Sequence, residues 1–234
     1  MKKILSTITL FISLINSLFS SPMDGIWKQY IYTDGISSNY IFDVEKDNKG
    51  RVWIGTQNGV TLIEGKLIQK FGSSKGLPAA NIIKVVSVND KIYAATSTKG
   101  IYVLGEDGFF SKTSIVKGSS LSTMEKVGDK LFVSTNLENI LYDGDNVSFM
   151  GKGFPNLKIK DVYVSGDRVW YVAEDRLIKK AGKSFSSEKI TFSSNKVKIQ
   201  AFFSEGTIDY FGTNQGLWKR EGKGNPRLIR NINV

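Results

Sequence analysis

Asp47-Asn48-Lys49-Gly50-Arg51-Val52-Trp53-Ile54-Gly55-Thr56-Gln57-Asn58-Gly59-Val60 reads as a turn, a short run headed by an aromatic, a second turn and the start of another apolar run. Its core, Trp53-Ile54-Gly55-Thr56, returns as Tyr93-Ala94-Ala95-Thr96, Phe132-Val133-Ser134-Thr135, Trp170-Tyr171-Val172-Ala173 and Tyr210-Phe211-Gly212-Thr213. Each copy is an aromatic, then apolar or small residues, then Thr, with Ala in the fourth. The closing residues stand at 56, 96, 135, 173 and 213, in steps of 40, 39, 38 and 40. A spacing held through five copies is the mark of a repeat architecture.

The flanks repeat as well. Ahead of each aromatic stand turn formers: Asp47-Asn48-Lys49-Gly50, Asn89-Asp90-Lys91, Gly128-Asp129-Lys130, Gly166-Asp167-Arg168 and Glu205-Gly206-Thr207. Asn, Asp and Gly dominate tight hairpins because they tolerate positive φ. Ahead of each turn runs an apolar segment (40–44, 82–88, 121–127, 159–164 and 197–203). Behind each core comes another strand, as in Gly59-Val60-Thr61-Leu62-Ile63 or Gly216-Leu217-Trp218-Lys219, and then a glycine turn at Gly65, Gly108, Gly144, Gly182 or Gly222. A fourth, more polar strand closes the unit. Six stretches offer themselves for that outer strand: 27–33, 67–71, 109–116, 147–150, 184–192 and 227–232. The N-terminal and the C-terminal stretch both remain open as the one that closes the last unit. Four short strands in about 40 residues make a propeller blade. One blade cannot bury both its faces, and stacking blades around an axis buries them. The predicted fold is all-β: a β-propeller of about five four-stranded antiparallel blades.

The segment Gly35-Ile36-Ser37-Ser38-Asn39-Tyr40-Ile41, together with the stretch that opens this section, resembles the two-component regulator propeller repeat. That family's pattern runs GL-S-S-N-x-I, then D-x-x-G-x-L-W-I-G-T-x-x-G-L. The second copy keeps Gly76-Leu77-Pro78 and Asn81-Ile82, and the fifth keeps Phe211-Gly212-Thr213-Asn214-Gln215-Gly216-Leu217. Copies three and four are degenerate, with Asn139 where a glycine is expected and Ala173 in place of threonine. The resemblance covers residues 26–234 and implies an extracytoplasmic sensor propeller of a kind that often binds carbohydrate fragments. Such propellers usually precede a membrane span and a kinase. This sequence has neither a second apolar span nor kinase motifs, so signalling in cis is not expected of it.

The chain has no histidine and no cysteine. Ser-His-Asp and Cys-His nucleophile pairs cannot be built, nor zinc sites of the His and Cys types. No cofactor and no metal is expected. The formal net charge of +10 suits acidic partners and also serves solubility. The lysines form no long run, which argues against a nucleic-acid footprint. At the N-terminus Lys2 and Lys3 precede a lightly broken apolar run, 4–19, and then Ser20 and Ser21. This describes a secretory signal in residues 1–21, with an uncleaved anchor as the alternative, followed by the propeller in 22–234. The protein is therefore expected to be exported, periplasmic or extracellular, and to touch a membrane only if the leader stays.

In a propeller, the loops between outer and inner strands and those between second and third strands share one rim. Ser37, Ser38, Asn39, Gln57, Asn58, Asn81, Ser97, Thr98, Asn136, Asn214 and Gln215 fall in those loops. Amides and hydroxyls gathered on a rim suit sugar hydroxyls; their plainer use is as turn formers and strand caps. The series Trp53, Tyr93, Phe132, Trp170 and Tyr210 offers sugar-stacking platforms or, more simply, packing between blades. Carboxylates are the acid–base groups left for hydrolysis. Asp43 and Asp161 take equivalent inner-strand positions, but Lys84, Thr123 and Ala201 fill the same place elsewhere, so there is no acidic ring. Asp143-Gly144-Asp145-Asn146 lacks the spaced ligands of a calcium loop and reads as a hairpin turn. Three functions stay in view. The leading one is a non-enzymatic sensor-type module for a small glycan or peptide. The others are a scaffold for an envelope partner protein and a carboxylate-dependent glycan hydrolase or lyase.

Overall fold

The alternation of short apolar runs with turn residues folds into twenty strands, and no α-helix is found among the described residues. A computed structural model describes residues 28–116, 120–151, 153–182 and 184–230. The leader expected in 1–21 lies outside them. The chain divides into two units, Met1–Tyr30 and Ile31–Val234. Of the first only residues 28–30 are described, with the Lys28 ammonium 4.6 Å from the centre of the Tyr30 ring. The strands belong to the second.

The first sheet is β1 (Ile41–Lys46), β2 (Val52–Thr56), β3 (Gly59–Glu64) and β4 (Leu67–Phe71). The second is β5 (Ile82–Val88), β6 (Lys91–Thr96), β7 (Ile101–Leu104) and β8 (Phe110–Lys112). The third is β9 (Leu121–Val127), β10 (Lys130–Thr135), β11 (Asn139–Tyr142) and β12 (Val147–Phe149). The fourth is β13 (Asp161–Ser165), β14 (Arg168–Val172), β15 (Arg176–Ala181) and β16 (Ser184–Lys189). The fifth is β17 (Ile199–Glu205), β18 (Ile208–Thr213), β19 (Gly216–Glu221) and β20 (Arg227–Arg230). Each sheet is antiparallel with its strands in chain order, the up-and-down order of a propeller blade. The outer-strand ambiguity resolves in favour of the C-terminus. Residues 28–31 form no strand, Tyr32–Asp34 is a 3-10 turn, and β20 pairs β19 through a local hairpin.

Turn chemistry accounts for the hairpins. Asn89 and Asp90 both hold positive φ, 50° and 61°, the requirement of a two-residue turn whose twist matches its strands. Gly128, Gly166 and Gly206 open the corresponding turns in the last three sheets at φ 64°, 56° and 61°. The first sheet differs, because its β1–β2 loop spans residues 47–51. A register shift recurs where the inner strand enters the sheet, at Ile41/Asp43, at Ile82/Lys84, opposite Ser134/Thr135, and at Ile199/Ala201. Such a bulge re-aims the side chains beyond it.

The core lies in the seams between sheets. Trp53, Val60, Leu62 and Phe71 pack on Val85, Ile92, Ala94 and Tyr102 between the first and second sheets. Val86, Tyr93, Ala95 and Ile101 meet Met124, Leu131, Val133 and Ile140 between the second and third. Phe132 meets Ile159, Tyr171 and Ile178 between the third and fourth. Trp170, Val172 and Leu177 meet Ile199, Phe202, Phe211 and Trp218 between the fourth and fifth. Among the described residues no such cluster joins the fifth sheet to the first. Phe42 and Val44 on the first sheet stay 47% and 58% exposed, and Phe203 on the fifth stays 49% exposed.

Candidate functional site

The repeated threonine builds the rim. Thr56 Oγ1 donates to the Gly59 carbonyl at 2.8 Å and accepts the Asn58 N–H at 3.1 Å. Thr96 does the same with Gly100 and Lys99, both at 2.8 Å. Thr135 holds Glu138 O at 3.2 Å and takes the N–H groups of Leu137 and Glu138, and Thr213 holds Gly216 O at 2.8 Å and the Gln215 N–H at 3.1 Å. A hydroxyl that donates and accepts in one tight loop fixes its backbone. Each clasp therefore presents the next one or two side chains from a fixed base: Gln57 and Asn58, Ser97 and Thr98, Asn136, and Asn214 and Gln215. Ala173 in the fourth sheet lacks the clasp.

The rim residues divide into two groups. Ser37 and Ser38 are buried. The Ser37 N–H donates to Thr61 Oγ1 at 2.8 Å, its hydroxyl donates to Val60 O at 3.2 Å, and Ser38 Oγ accepts the Tyr40 N–H at 3.1 Å. Asn39 Oδ1 accepts the Tyr32 N–H at 2.7 Å, and Asn214 brackets its neighbouring loop through the Lys198 N–H at 2.7 Å and the Lys196 carbonyl at 3.1 Å. These four hold loops together. Gln57, Asn58 and Asn81 instead converge on a cleft of about 360 Å³ between the first two sheets, with Gly72, Ser73, Pro78, Ala79 and Ala80 as its floor and walls. Ser97, Thr98, Asn136 and Gln215 sit on other loops and do not line it.

The sequence reading missed the floor, though the Gly76-Leu77-Pro78 motif was its signal. Leu77 is 2% exposed and anchors the loop in the seam. Gly76 holds φ 87°, and a Cβ there would stand 2.0 Å from the Phe110 carbonyl oxygen. The loop is thus pressed onto β8, and its backbone has one place to lie.

Two larger clefts open at the opposite, hairpin end. One of about 680 Å³ between the third and fourth sheets is floored by Val127, Leu141, Met150, Val169, Tyr171 and Phe185; burial pushes the Tyr171 phenol up to about 12. Another of about 480 Å³ is lined by Arg51, Tyr93 and Tyr142, among others. Neither gathers side-chain amides as the rim cleft does.

Asp43 and Asp161 act as straps between sheets. Asp43 Oδ2 accepts the Val85 N–H at 2.8 Å and Asp161 Oδ2 accepts the Phe202 N–H at 3.2 Å. Lys84 Nζ lies 3.4 Å from Asp43 Oδ1 and 2.6 Å from Glu125 Oε1. Burial raises the Glu125 carboxyl above its ordinary value, against the pull of Lys84. Burial also opposes the charge on Lys84, yet Glu125 and Asp43 hold its ammonium above the usual lysine value. Among the described residues no group of three or more acidic side chains could hold a metal ion.

Residues 35–58, which carry the first Thr clasp, Gln57 and Asn58, match the two component regulator propeller family. The first repeat is thus similar to the two component regulator propeller repeat. The sheets around this repeat superpose on propeller structures at low identity. The extracellular domain of BT4673 from B. thetaiotaomicron, named as a hybrid two component system, aligns at TM-score 0.67 with 16% identity, over 85% of this chain and 28% of that one. A catalytically inactive variant of virginiamycin B lyase from Staphylococcus aureus aligns at TM-score 0.62 with 13% identity, over 82% and 68%. PorZ of Porphyromonas gingivalis, a surface component of the type-IX secretion system, aligns at 0.55 with 13% identity, over 88% and 29%. The chain thus spans under a third of the BT4673 domain's length. No curated protein sequence matches it.

Proposed function

We propose that this protein is an exported, non-enzymatic propeller of sensor type that binds a short glycan or peptide in the rim cleft between its first two sheets. The convergence of Gln57, Asn58 and Asn81 on one cleft carries this reading. None of the three side chains makes a hydrogen bond to the protein among the described residues, so their amides are left to donate and accept outward. The propeller repeat identified in residues 35–58 supplies two of them. The likeness to the extracellular domain of a two component system supports a sensing role outside the membrane, and the leader-like residues 1–21 support export. The use of Asp43 and Asp161 as backbone acceptors favours binding over hydrolysis.

Isothermal titration calorimetry of the full chain against a panel of short glycans and peptides tests the reading. We expect a saturable ligand whose affinity falls about tenfold or more in the Asn58→Ala/Asn81→Ala variant, as two hydrogen-bonded contacts are lost. A panel that gives no heat overturns the reading. Capture of one envelope protein through the same rim, with no small-molecule affinity, replaces it with a scaffold.

A further inference from the structure

A tryptophan heads the core tetrad in the first and fourth sheets, each time with an arginine two residues before it. In the first sheet the Arg51 guanidinium lies 5.2 Å from the centre of the Trp53 ring, and one carboxylate oxygen, Asp47 Oδ2, accepts both Arg51 Nε at 2.7 Å and Trp53 Nε1 at 2.9 Å. In the fourth sheet the Arg168 guanidinium lies at the same 5.2 Å from the Trp170 ring. Here Trp170 is 4% exposed, and its Nε1 is buried with no hydrogen-bond partner among the described residues. Asp167, in the adjoining turn, is exposed and bonds neither group among the described residues. The fourth sheet thus keeps both donors of the arrangement and not its acceptor. A buried donor left unpaired carries its full desolvation cost, which an arriving acceptor relieves.

The surroundings favour an anion. A cleft of about 340 Å³ opens at the hairpin end of the seam between the fourth and fifth sheets, lined by Arg168, Trp170, Lys179 and Lys223 together with Arg220, Asp209 and Glu188. Both carboxylates are already taken, since Arg220 holds Glu188 and Asp209 at 2.6 Å each. Arg168, Lys179 and Lys223 enter no ion pair among the described residues. Lys179 Nζ lies 5.6 Å from the Trp170 ring centre, so a second cation attends the indole. Glu205 and Glu221 both pair with Ile208 across their strands, so alternation places them on the other face of the fifth sheet from Asp209. The two side chains over the indole have long, freely turning stems, so they can swing to meet an oxyanion that approaches it.

We propose that this cleft binds a small carboxylate, which takes in the fourth sheet the place that Asp47 takes in the first. It bridges Arg168 and the Trp170 indole N–H, with Lys179 and Lys223 around it. The planar fork of an arginine suits a carboxylate. The cleft lies at the opposite end of the sheets from Gln57, Asn58 and Asn81 and does not depend on a ligand there.

Nuclear magnetic resonance of the full chain tests this through the assigned indole N–H cross-peaks, titrated with sodium acetate and sodium glucuronate against sodium chloride at equal ionic strength. The expected result is a saturable downfield shift of the Trp170 proton with carboxylate, while Trp53, already held by Asp47, stays in place. A tighter response to glucuronate than to acetate would mark a sugar acid as the source of the carboxylate, and an equal one a simple organic acid. Arg168→Gln replaces an exposed side chain and keeps the fold. It should weaken the response about tenfold or more, the loss of a charge-assisted hydrogen bond. Asn58→Ala/Asn81→Ala should leave the response unchanged. A Trp170 signal that ignores carboxylate, follows chloride equally, persists undiminished in Arg168→Gln or is lost in the rim variant overturns the proposal. So does a response confined to Asp167→Asn, which would mean that the chain's own Asp167 fills the place.

Discussion

Asp47 ties the turn of the first repeat to its core tetrad. Its Oδ1 accepts the N–H groups of Lys49 at 3.0 Å and Arg51 at 2.9 Å, and its Oδ2 accepts Arg51 Nε at 2.7 Å and Trp53 Nε1 at 2.9 Å. One carboxylate shapes the turn and fixes the indole of the core tetrad. In the fourth sheet the turn is the two residues Gly166 and Asp167, and Trp170 Nε1 is buried without a partner. Burial raises the carboxyl of Asp47, but hydrogen bonds from Trp53 and Arg51 overcome this and hold it below the usual aspartate value. A depressed folded value gives stability that is present above the unfolded value and lost as pH falls through the folded one. Asp47→Asn should cost about 1–3 kcal/mol in urea unfolding at neutral pH, and the gap should close on acidification below the ordinary aspartate range. A gap that widens instead would contradict the assignment. Gly55 and Gly212 make a second residue-scale test. A Cβ on Gly55 would stand 2.9 Å from the Ile82 carbonyl oxygen of the second sheet, whereas on Gly212 it would meet Ala201 of its own sheet, at 3.4 Å. Gly55→Ala should destabilise by about 1–3 kcal/mol because the second sheet cannot yield, whereas Gly212→Ala should stay within about 0.5 kcal/mol. Equal losses in melts of the two variants at low protein concentration would mean that a sheet covers both.

Sheets are joined here by buried charge as well as apolar side chains. Asp43, Lys84 and Glu125 link the inner strands of the first three sheets. Arg220, 5% exposed, joins Asp209 of its own sheet and Glu188 of β16, each at 2.6 Å. Lys84→Met leaves two half-buried carboxylates without their cation at a seam and should cost about 1–3 kcal/mol at neutral pH, less than the loss of a partner from a fully buried pair. The Glu125 carboxyl is already raised by burial, and loss of the cation raises it further. A raised folded carboxyl binds protons before the unfolded one does, so the deficit of Lys84→Met should shrink as pH falls from neutrality toward the ordinary glutamate value. Denaturant melts across that window decide the sign. At this scale the strands and turns were legible in the sequence, because period-two alternation and Gly, Asn and Asp turns are local. The closing strand was not. Residues 27–33 and 227–232 read alike, and the choice rests on which partner edge each reaches.

As a whole, the described fold is a series of five sheets in which each contacts its chain neighbours, so the middle should be steadier than the ends. Amides of β9, β10, β13 and β14 are expected to exchange with deuterium more slowly than those of β1 and β17–β20, as read by exchange mass spectrometry. Uniform protection in dilute protein would mean that the ends meet. The sequence by itself determined the repeat, its period, its four strands and the residues placed on the rim, because each follows from local alternation and turn preference. It also named Gln57, Asn58 and Asn81 among the rim residues, but could not tell them from Ser37, Ser38, Asn39 and Asn214. That distinction depends on hydrogen bonds such as Ser37 to Thr61 and Asn214 to Lys198, which form only once distant or looped segments meet. The tertiary structure alone decided which side chains the fold consumes and which it leaves facing solvent. It also decided, among the described residues, which apolar side chains from consecutive sheets meet in each of four seams, because such packing joins residues about one repeat apart and is written in no single repeat.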